Sequence, residues 1–285
     1  MATVTPISVF IPTFNRGGRV FCTLDRVLAC DPGPCEIWVH VDKSDGKLEA
    51  ELTAKFPSVR LLSSRERLGP GGGRHRCLKM CRSPYAVSFD DDSYPVDSDF
   101  FEKILSTFLE HPEAAIIGAT IWQRNEQPIA RAGSLTRKLD FIGCGYGVRL
   151  KAYEETRGYL SRPVPYGMEE TDLSIQLFSK GWRIYQSGEL RVFHDTDFTH
   201  RENPDITVGT ISNVALFTFL HYPVTLWGWA AIQIGNLLRD CMARKRWKGM
   251  LKGLACVPAD CYAHRRYRRP LPRRVVSDFL EMRRL

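Results

Sequence analysis

Short apolar runs of strand length alternate along the chain with segments whose apolar residues recur at helical spacing. The strand-like runs are 6–12, 36–41, 59–62, 86–89 and 114–121, and the helix-like segments are 20–30, 48–56, 69–80 and 99–110. This alternation predicts an α/β fold with a mostly parallel sheet flanked by helices. Ligands of such sheets bind beyond the carboxyl ends of the strands, so the residues after each run are candidates for a site.

Three consecutive carboxylates, Asp90, Asp91 and Asp92, follow the apolar run 86–89. Adjacent like charges raise one another's pKa and lose hydration, and a cation relieves that cost. Oxygen ligands at a strand end suit Mg²⁺ or Mn²⁺, which keep waters and are completed by substrate phosphates. The acids therefore predict a metal–diphosphate site. A solvated acidic turn is the alternative, since Asp-Asp-Ser-Tyr-Pro is also favourable turn chemistry.

Polar residues also follow other runs. Asn15 comes after the first run, Asp42 directly after the second, and His194 after the strand-like segment 189–193. Parallel strands end at one edge of a sheet, so we expect these residues to converge on the acidic loop. Alternatively, Asp42 only starts the turn 43–46, and His194 is a satisfied structural histidine.

Two further segments carry candidate residues. The glycine-rich run 69–73 opens a helix but lacks the Gly-Lys-Ser/Thr ending of a phosphate-binding P-loop, so we interpret it as a wall of the predicted site and not as a phosphate cradle. A later predicted helix has three acids in its first turn, Glu169, Glu170 and Asp172. The helix dipole makes negative charge favourable there, which is a structural alternative to a functional role.

The order of these pieces resembles that of family 2 glycosyltransferases, which have the GT-A fold, a Rossmann-like sheet. The pieces lie within residues 6–200 and are Ile11-Pro12-Thr13-Phe14-Asn15-Arg16, Val41-Asp42-Lys43-Ser44, Leu68 to Arg74, Phe89-Asp90-Asp91-Asp92, Glu169-Glu170-Thr171-Asp172-Leu173 and Val192-Phe193-His194. Any one piece is weak evidence, and six in order are a specific signal.

The resemblance implies an inverting, metal-dependent transferase that moves a sugar from a nucleotide-sugar to an acceptor hydroxyl. Asp42 would recognise the base, which favours a UDP- or dTDP-sugar, and Asp90 would face the ribose. Mg²⁺ or Mn²⁺ would bind to Asp92 and His194. The full set implied for the donor is Pro12, Thr13, Asn15, Asp42, Arg74, Asp90 and Asp91.

The catalytic base is where the chain departs from the family. The family has a Glu-Asp pair at this helix start and uses the Asp, whereas this chain has Glu169-Glu170. The resemblance implies that Glu170 or Glu169 is the base, and that Asp172 binds the acceptor or caps the helix. The departure also leaves open an inactive nucleotide-sugar-binding scaffold. A nucleotidyltransferase that forms sugar nucleotides is another alternative, although such enzymes place a Gly-rich Lys/Arg loop where this chain has Pro12-Thr13-Phe14-Asn15.

The C-terminal region differs from the rest of the chain. Residues 206–238 contain no Asp, Glu, Lys or Arg, and residues 239–285 contain 14 Lys and Arg against 4 Asp and Glu. We expect a catalytic domain over 1–205 and a helical extension over 206–285, in which two helices break near Pro223. The extension would either pack on the catalytic domain or lie on an anionic membrane surface. Nothing upstream is typical of a base-reading module, so we expect no nucleic acid partner.

Composition adds little to this picture. The chain has 285 residues and a formal net charge of +8, and its nine cysteines lack the paired spacing of a zinc site. Free thiols and the absence of an N-terminal signal segment predict a cytoplasmic protein, peripheral at the inner face of the membrane. The expected acceptor is a glycan or a lipid-linked molecule in surface polysaccharide synthesis.

Overall fold

A computed structural model describes residues 4–14, 16–124, 126–163, 168–196 and 204–283. The chain packs into two compact units. The first comprises Met1–Pro163 and Gln176–Thr196, and the second comprises Val164–Ile175 and Asp197–Leu285.

The first unit is built around one mixed sheet. Among the described residues the sheet has nine strands in the order β3-β2-β1-β4-β8-β6-β9-β5, and β7 pairs with β9. The strands are β1 Val4–Thr13, β2 Gly33–Val41, β3 Arg60–Ser63, β4 Tyr85–Ser88, β5 Ser93–Pro95, β6 Ala114–Gln123, β7 Leu135–Lys138, β8 Tyr146–Arg149 and β9 Arg183–His194.

The helices follow the predicted alternation. The helices that connect the strands are α1 Gly17–Leu28, α2 Lys47–Lys55, α3 Gly69–Met80, α4 Phe100–Glu110, α5 Leu150–Glu154 and α6 Glu169–Ser179. The later helices are α7 Pro204–His221, α8 Trp227–Ala243, α9 Met250–Ala263 and α10 Arg273–Met282.

Alternate residues of β1 are buried on opposite faces of the sheet. Ile7, Val9 and Ile11 join the main core, to which α1, α2 and α4 contribute their apolar stripes. Phe10 points to the other face and meets the ring of Tyr146 edge-on at 6.1 Å. Burial on both faces explains why β1 is a continuous apolar run, as buried parallel strands usually are.

Strand direction determines what the sheet presents at its edge. β1 runs parallel to β2 and to β4. β9 runs parallel to β6, and both β6 and β4 are antiparallel to β8. β4 and β9 therefore point the same way, and the ends of β1, β2, β4 and β9 lie at one edge. The predicted convergence of Asp42, the acidic loop and His194 at that edge is confirmed for the strand ends that carry them.

Three strands, β5, β7 and β8, fall where the sequence indicates none. β7 lies within 128–142, which has no regular pattern, and it is short, polar and mostly exposed. β8 begins inside the glycine-rich stretch 143–147. β9 also begins six residues earlier than the run 189–193 predicts, and a register irregularity interrupts its pairing with β6.

The second unit is helical. α7 and α8 are separated at Pro223, as predicted. α9 packs closely on α7, because a Cβ at Gly253 would lie 3.1 Å from the Cβ of Ile211. The backbone N–H groups of Arg269 and Leu271 donate to the last carbonyls of α7, at Leu220 and His221. In the described part of the chain, no helix is both long enough and apolar enough to cross a bilayer.

Candidate active site

The acidic loop follows β4 directly, near the middle of the sheet. Asp91 is buried, and its Oδ2 accepts a hydrogen bond from Thr13 Oγ1 at 2.8 Å. The Oδ2 atom of Asp92 lies 3.0 Å from a guanidinium nitrogen of Arg16 and 2.9 Å from one of Arg19. Asp91 and Asp92 are therefore buried and paired, which a solvated acidic turn would not be.

Arg74 is the third arginine that pairs with the loop. Its guanidinium is buried, lies 2.6 Å from Asp90 Oδ1 and also donates to the carbonyl oxygen of Gly143 at 3.0 Å. Asp90 remains partly exposed at the sheet edge. The resemblance implies that Arg74 reaches the nucleotide or the diphosphate, and in the structure Arg74 lies beside Asp90, the carboxylate expected to face the ribose.

The protonation of the loop is uneven. Burial, and secondarily the charge of Asp92, raises the pKa of Asp91 to about 6. Burial also acts to raise the pKa of Asp92, but the hydrogen bond to His194 and the two arginines outweigh it and hold that pKa below its usual value. Asp92 is therefore the more firmly ionised of the two.

His194 ends β9 and lies between two groups. Its Nε2 atom is 3.2 Å from Asp92 Oδ1, and its Nδ1 atom is 3.5 Å from the sulfur of Cys144. One ligand-type atom from each of Asp90, Cys144 and His194 lies within 4.8 Å of the others. Carboxylate, imidazole and thiol groups at this spacing fit a single divalent ion, so the residues present are suited to hold a metal.

The loop that carries Cys144 is held rigidly. The N–H of Gly145 donates a hydrogen bond to the backbone carbonyl of Ser88 at 2.8 Å, and the carbonyl of Gly145 accepts one from the backbone N–H of Ala119 at 2.9 Å. Gly145 has a φ of +74°, a conformation that favours glycine. A Cβ at Gly147 would lie 2.5 Å from Ile104 Cδ1, so the strand beyond must also be glycine there.

Asp42 is engaged by the protein itself. Its Oδ1 accepts hydrogen bonds from Ser64 Oγ at 3.0 Å and from the N–H of Leu68 at 2.8 Å, and its Oδ2 accepts from the N–H of Gly69 at 2.9 Å. The carboxylate thus satisfies backbone groups at the start of α3, where negative charge is favourable. Its role in base recognition stays a prediction.

The glycine-rich run is the first turn of α3. Gly69 has a φ of +71°, and a Cβ there would lie 1.9 Å from the carbonyl oxygen of Arg162. A Cβ at Gly73 would lie 2.8 Å from His40 Nδ1 and 3.2 Å from Pro12 Cβ. The glycines therefore allow α3 to pack against β1 and β2. Pro12 and Thr13 end β1 beside this helix, and Asn15 lies outside the described residues.

Glu169, Glu170 and Asp172 lie in the first turn of α6, in the second unit. Asp172 Oδ1 is 2.6 Å from Nε2 of His221, and both side chains are buried. Arg283 donates to Thr171 Oγ1 at 3.3 Å. Asp172 is thus a structural partner of α7 within this unit. The assignment of Glu170 or Glu169 as the base stays a prediction.

Sequence reasoning missed three residues of this edge. Arg16 ends the motif Ile11 to Arg16, and Arg19 lies one helical turn further along. Both follow a strand that was expected to end beside the acidic loop, so their positive charge was a signal that the sequence offered. Cys144 had no such signal, because its position depends on the pairing of β8 with β4.

Three solved structures have a similar fold. GalNAc-T7 with UDP, GalNAc and Mn²⁺ has a TM-score of 0.61 and 13% identity over 79% of this chain and 49% of its own. Staphylococcus aureus TarS in complex with UDP-GlcNAc has a TM-score of 0.58 and 15% sequence identity, over 74% of this chain and 65% of TarS. The Pyrobaculum calidifontis mannosyltransferase PcManGT, in complex with GDP-Man and Mn²⁺, has a TM-score of 0.58 and 14% sequence identity. The match covers 97% of this chain and 84% of PcManGT.

The chain spans about half the length of GalNAc-T7 and just under two thirds of TarS. A comparison with curated proteins finds no match.

The sheet and its flanking helices define a GT-A fold. The chain belongs to glycosyl transferase family 2, whose family model matches residues 8–160. The resemblance and the fold class that the sequence indicated are both confirmed.

Proposed function

We propose that the chain is an inverting, metal-dependent glycosyltransferase that uses a UDP- or dTDP-sugar and a hydroxyl acceptor. One observation carries the proposal: Thr13, Asp42, the acidic loop and His194, which are far apart in the sequence, follow or end four strands at a single sheet edge. This is where nucleotides bind in open α/β sheets. The three similar structures contain a nucleotide or nucleotide-sugar, and two of them contain Mn²⁺.

In this proposal the chain's own groups position the donor. Thr13, Asn15 and Pro12 line the nucleotide pocket, Asp42 accepts from the base, and Asp90 faces the ribose. Arg74 holds Asp90 in place through their 2.6 Å ion pair. Because Arg74 is buried with that partner, its contribution to donor binding is orientation of the ribose-facing carboxylate.

A metal at this edge would be held by His194 together with carboxylates of the acidic loop. Bound Mg²⁺ or Mn²⁺ would supply Lewis-acid stabilisation of the charge that develops on the diphosphate leaving group. Glu170, or its neighbour Glu169, removes the proton from the acceptor hydroxyl. The acceptor oxygen then bonds to the anomeric carbon as the bond to the diphosphate breaks, and the configuration inverts.

The second candidate function is a nucleotide-sugar-binding scaffold without transfer activity. The observation that favours it is Glu170 at the position where the family has the Asp base. A longer side chain places its carboxylate about one bond further from the backbone, so the geometry for proton removal differs even though the charge is retained.

The C-terminal region supports a further part of the proposal, attachment to an anionic bilayer. Of the seventeen residues of α8, only Ala230 and Cys241 are buried, while Trp227, Trp229 and Ile232 are exposed. Arg244 to Lys248 follow directly, and basic residues near an anionic leaflet contribute about 1 kcal/mol each. Exposed tryptophans beside a basic cluster fit the headgroup region. The acceptor would then be a lipid-linked or surface glycan.

Donor binding tests the central proposal. Calorimetric titrations of UDP-, dTDP- and GDP-sugars, each with and without Mn²⁺, should give metal-dependent binding of a uracil or thymine donor. Product analysis with the bound donor then distinguishes transfer from binding alone. If none of these donors binds under any metal condition, the proposed function is wrong.

Flotation with vesicles tests the membrane part. The intact chain should float with vesicles rich in anionic lipid and not with neutral ones, and replacing Arg244, Lys245, Arg246 and Lys248 by Gln should reduce flotation. Equal recovery with both vesicle types would contradict an electrostatic attachment. A matched control replaces the same number of basic residues on the first unit, such as Lys43, Lys47, Lys55 and Lys79.

A further inference from the structure

A sulfur atom lies among the ligand-type groups of the sheet edge. Cys144 is buried, and its thiol lies 3.5 Å from Nδ1 of His194. With a carboxylate oxygen of Asp90 these atoms form the set that lies within 4.8 Å. Thiolate, imidazole and carboxylate together are a ligand set for zinc-like ions, whereas Mg²⁺ takes oxygen ligands.

The orientation of the imidazole is determined by its other side. The carboxylate of Asp92, whose other oxygen is paired with two guanidinium groups, accepts hydrogen bonds, so the Nε2 atom 3.2 Å from its Oδ1 carries the proton. In the neutral ring the lone pair is then on Nδ1, which faces Cys144. A metal-binding histidine usually donates its other N–H to a carboxylate in this way.

The opposite side of the ring is less suited to a cation. Arg16 and Arg19 already bind Oδ2 of Asp92, at 3.0 and 2.9 Å. A divalent ion beside Nε2 would have to displace the hydrogen bond and would be repelled by two guanidinium groups. On the Nδ1 side of the ring, Asp90 can bind a metal ion while it keeps its ion pair with Arg74, since a carboxylate offers about four lone-pair positions.

We propose that a divalent cation binds through Nδ1 of His194, the thiolate of Cys144 and a carboxylate oxygen of Asp90, and that Asp92 orients the imidazole from behind. Because of the sulfur, this site binds borderline ions such as Zn²⁺ and Co²⁺ more tightly than the Mg²⁺ or Mn²⁺ of the proposed function. The inference rests on the proposed metal-dependent function and specifies its ligands. Binding converts the thiol to a metal-bound thiolate and releases one proton to the buffer.

Cobalt spectroscopy on the full chain, without nucleotide, tests the ligand set. Wild-type protein titrated with Co²⁺ should develop a thiolate-to-cobalt charge-transfer band in the near ultraviolet, which Zn²⁺ removes and excess Mg²⁺ does not. The variant Cys144→Ser should lack the band, while Cys22→Ser and Cys35→Ser, which alter exposed thiols, should retain it. Calorimetry in buffers of different ionisation enthalpy should show the released proton.

Asp92→Asn separates the two sides of the ring. If Asp92 only orients His194, this variant should keep the band and lose roughly 10- to 100-fold in Co²⁺ affinity. Absence of the band in the wild type, or its persistence in Cys144→Ser, would overturn the proposal. The wild-type measurement decides even if the variant fails to fold. Donor binding is measured separately, so metal-dependent donor binding without the band contradicts the sulfur ligand and leaves the proposed function standing.

Discussion

The side chains of Asp92 and His194 meet across 102 residues of sequence, with 3.2 Å between Oδ1 and Nε2. The contact forms because β5, which follows the acidic loop, pairs antiparallel with the end of β9, with Ser93 opposite His194. The N–H of Asp195 also donates to the carbonyl of Asp92 at 2.8 Å. Backbone pairing thus brings the acid and the imidazole together, and the predicted proximity of Asp92 and His194 is found.

Gly147→Ala should destabilise the first unit. The new methyl group would overlap Ile104 Cδ1 and Phe108 Cε2, at 2.5 and 2.8 Å, inside a close-packed core. We expect a loss of about 1–3 kcal/mol in the free energy of unfolding, measured by denaturant titration. Gly18→Ala is the matched control, because nothing lies within 4 Å of its new Cβ. It should be neutral or slightly stabilising, and equal losses in both variants would contradict the packing argument.

Asp42→Asn should weaken the start of α3. The amide keeps one acceptor oxygen but loses the charge that three donors share, so we expect a loss of about 1–3 kcal/mol in unfolding free energy. Asp25→Asn, on the exposed face of α1, should stay within about 0.5 kcal/mol of wild type. An additional loss of UDP affinity in Asp42→Asn would support base recognition. Unchanged stability would show that the hydrogen bonds to Leu68 and Gly69 contribute little.

Glu170→Gln should lower the turnover number by about 10²- to 10⁴-fold with little change in donor affinity, because the amide cannot accept the acceptor's proton. Glu169→Gln should have a smaller effect if Glu170 is the base, and the double variant should match the more damaging single one. Initial rates at saturating donor measure the effect, with circular dichroism to confirm folding. Unchanged transfer in all three variants would remove the base assignment.

Asp97→Asn should change how stability depends on pH. Hydrogen bonds from Arg191 make the largest contribution, and together with those from Arg131 they hold the pKa of Asp97 below its ordinary value of 3.8 despite partial burial. A lowered folded-state pKa contributes stability above pH about 4, and that contribution is lost as the pH falls through the folded pKa.

The two proteins should therefore differ by about 1–3 kcal/mol in unfolding free energy at pH 7, and the difference should shrink as the pH falls below about 4 towards the lowered pKa of Asp97. Thermal or denaturant unfolding over pH 3 to 7 measures this. The exposed Asp45→Asn control should follow the wild-type curve, and a difference for Asp97→Asn that is as large at pH 3 as at pH 7 would contradict the ion-pair explanation.

Much of the fold could be predicted because the first unit obeys simple patterns. β1, α3 and β4 begin or end within about two residues of the sequence prediction, since their apolar runs are continuous and punctuated by Pro, Gly and Asp. β7 and β8 could not be predicted. β7 has one half-buried side chain, Leu135, and β8 is four residues long with a glycine inside it. Both form only because neighbouring strands offer backbone partners.

The site divides in the same way. Asp90 to Asp92 and His194 were predictable because acids and an imidazole directly follow apolar runs. The partners of those groups were not. Cys144 reaches His194 through the antiparallel pairing of β8, and Asp42 finds its donors in a helix start 26 residues later. Long-range pairing of this kind is encoded by the whole sheet and not by a local motif.

The arginines around the acidic loop have a consequence for folding. Three guanidinium groups, from Arg16, Arg19 and Arg74, lie within ion-pair distance of the three aspartates, so their formal charges balance. A cluster balanced in this way needs no bound ion to keep its chain segments together. Stripping ions with a chelator should therefore abolish donor capture while the protein stays folded, which circular dichroism would show.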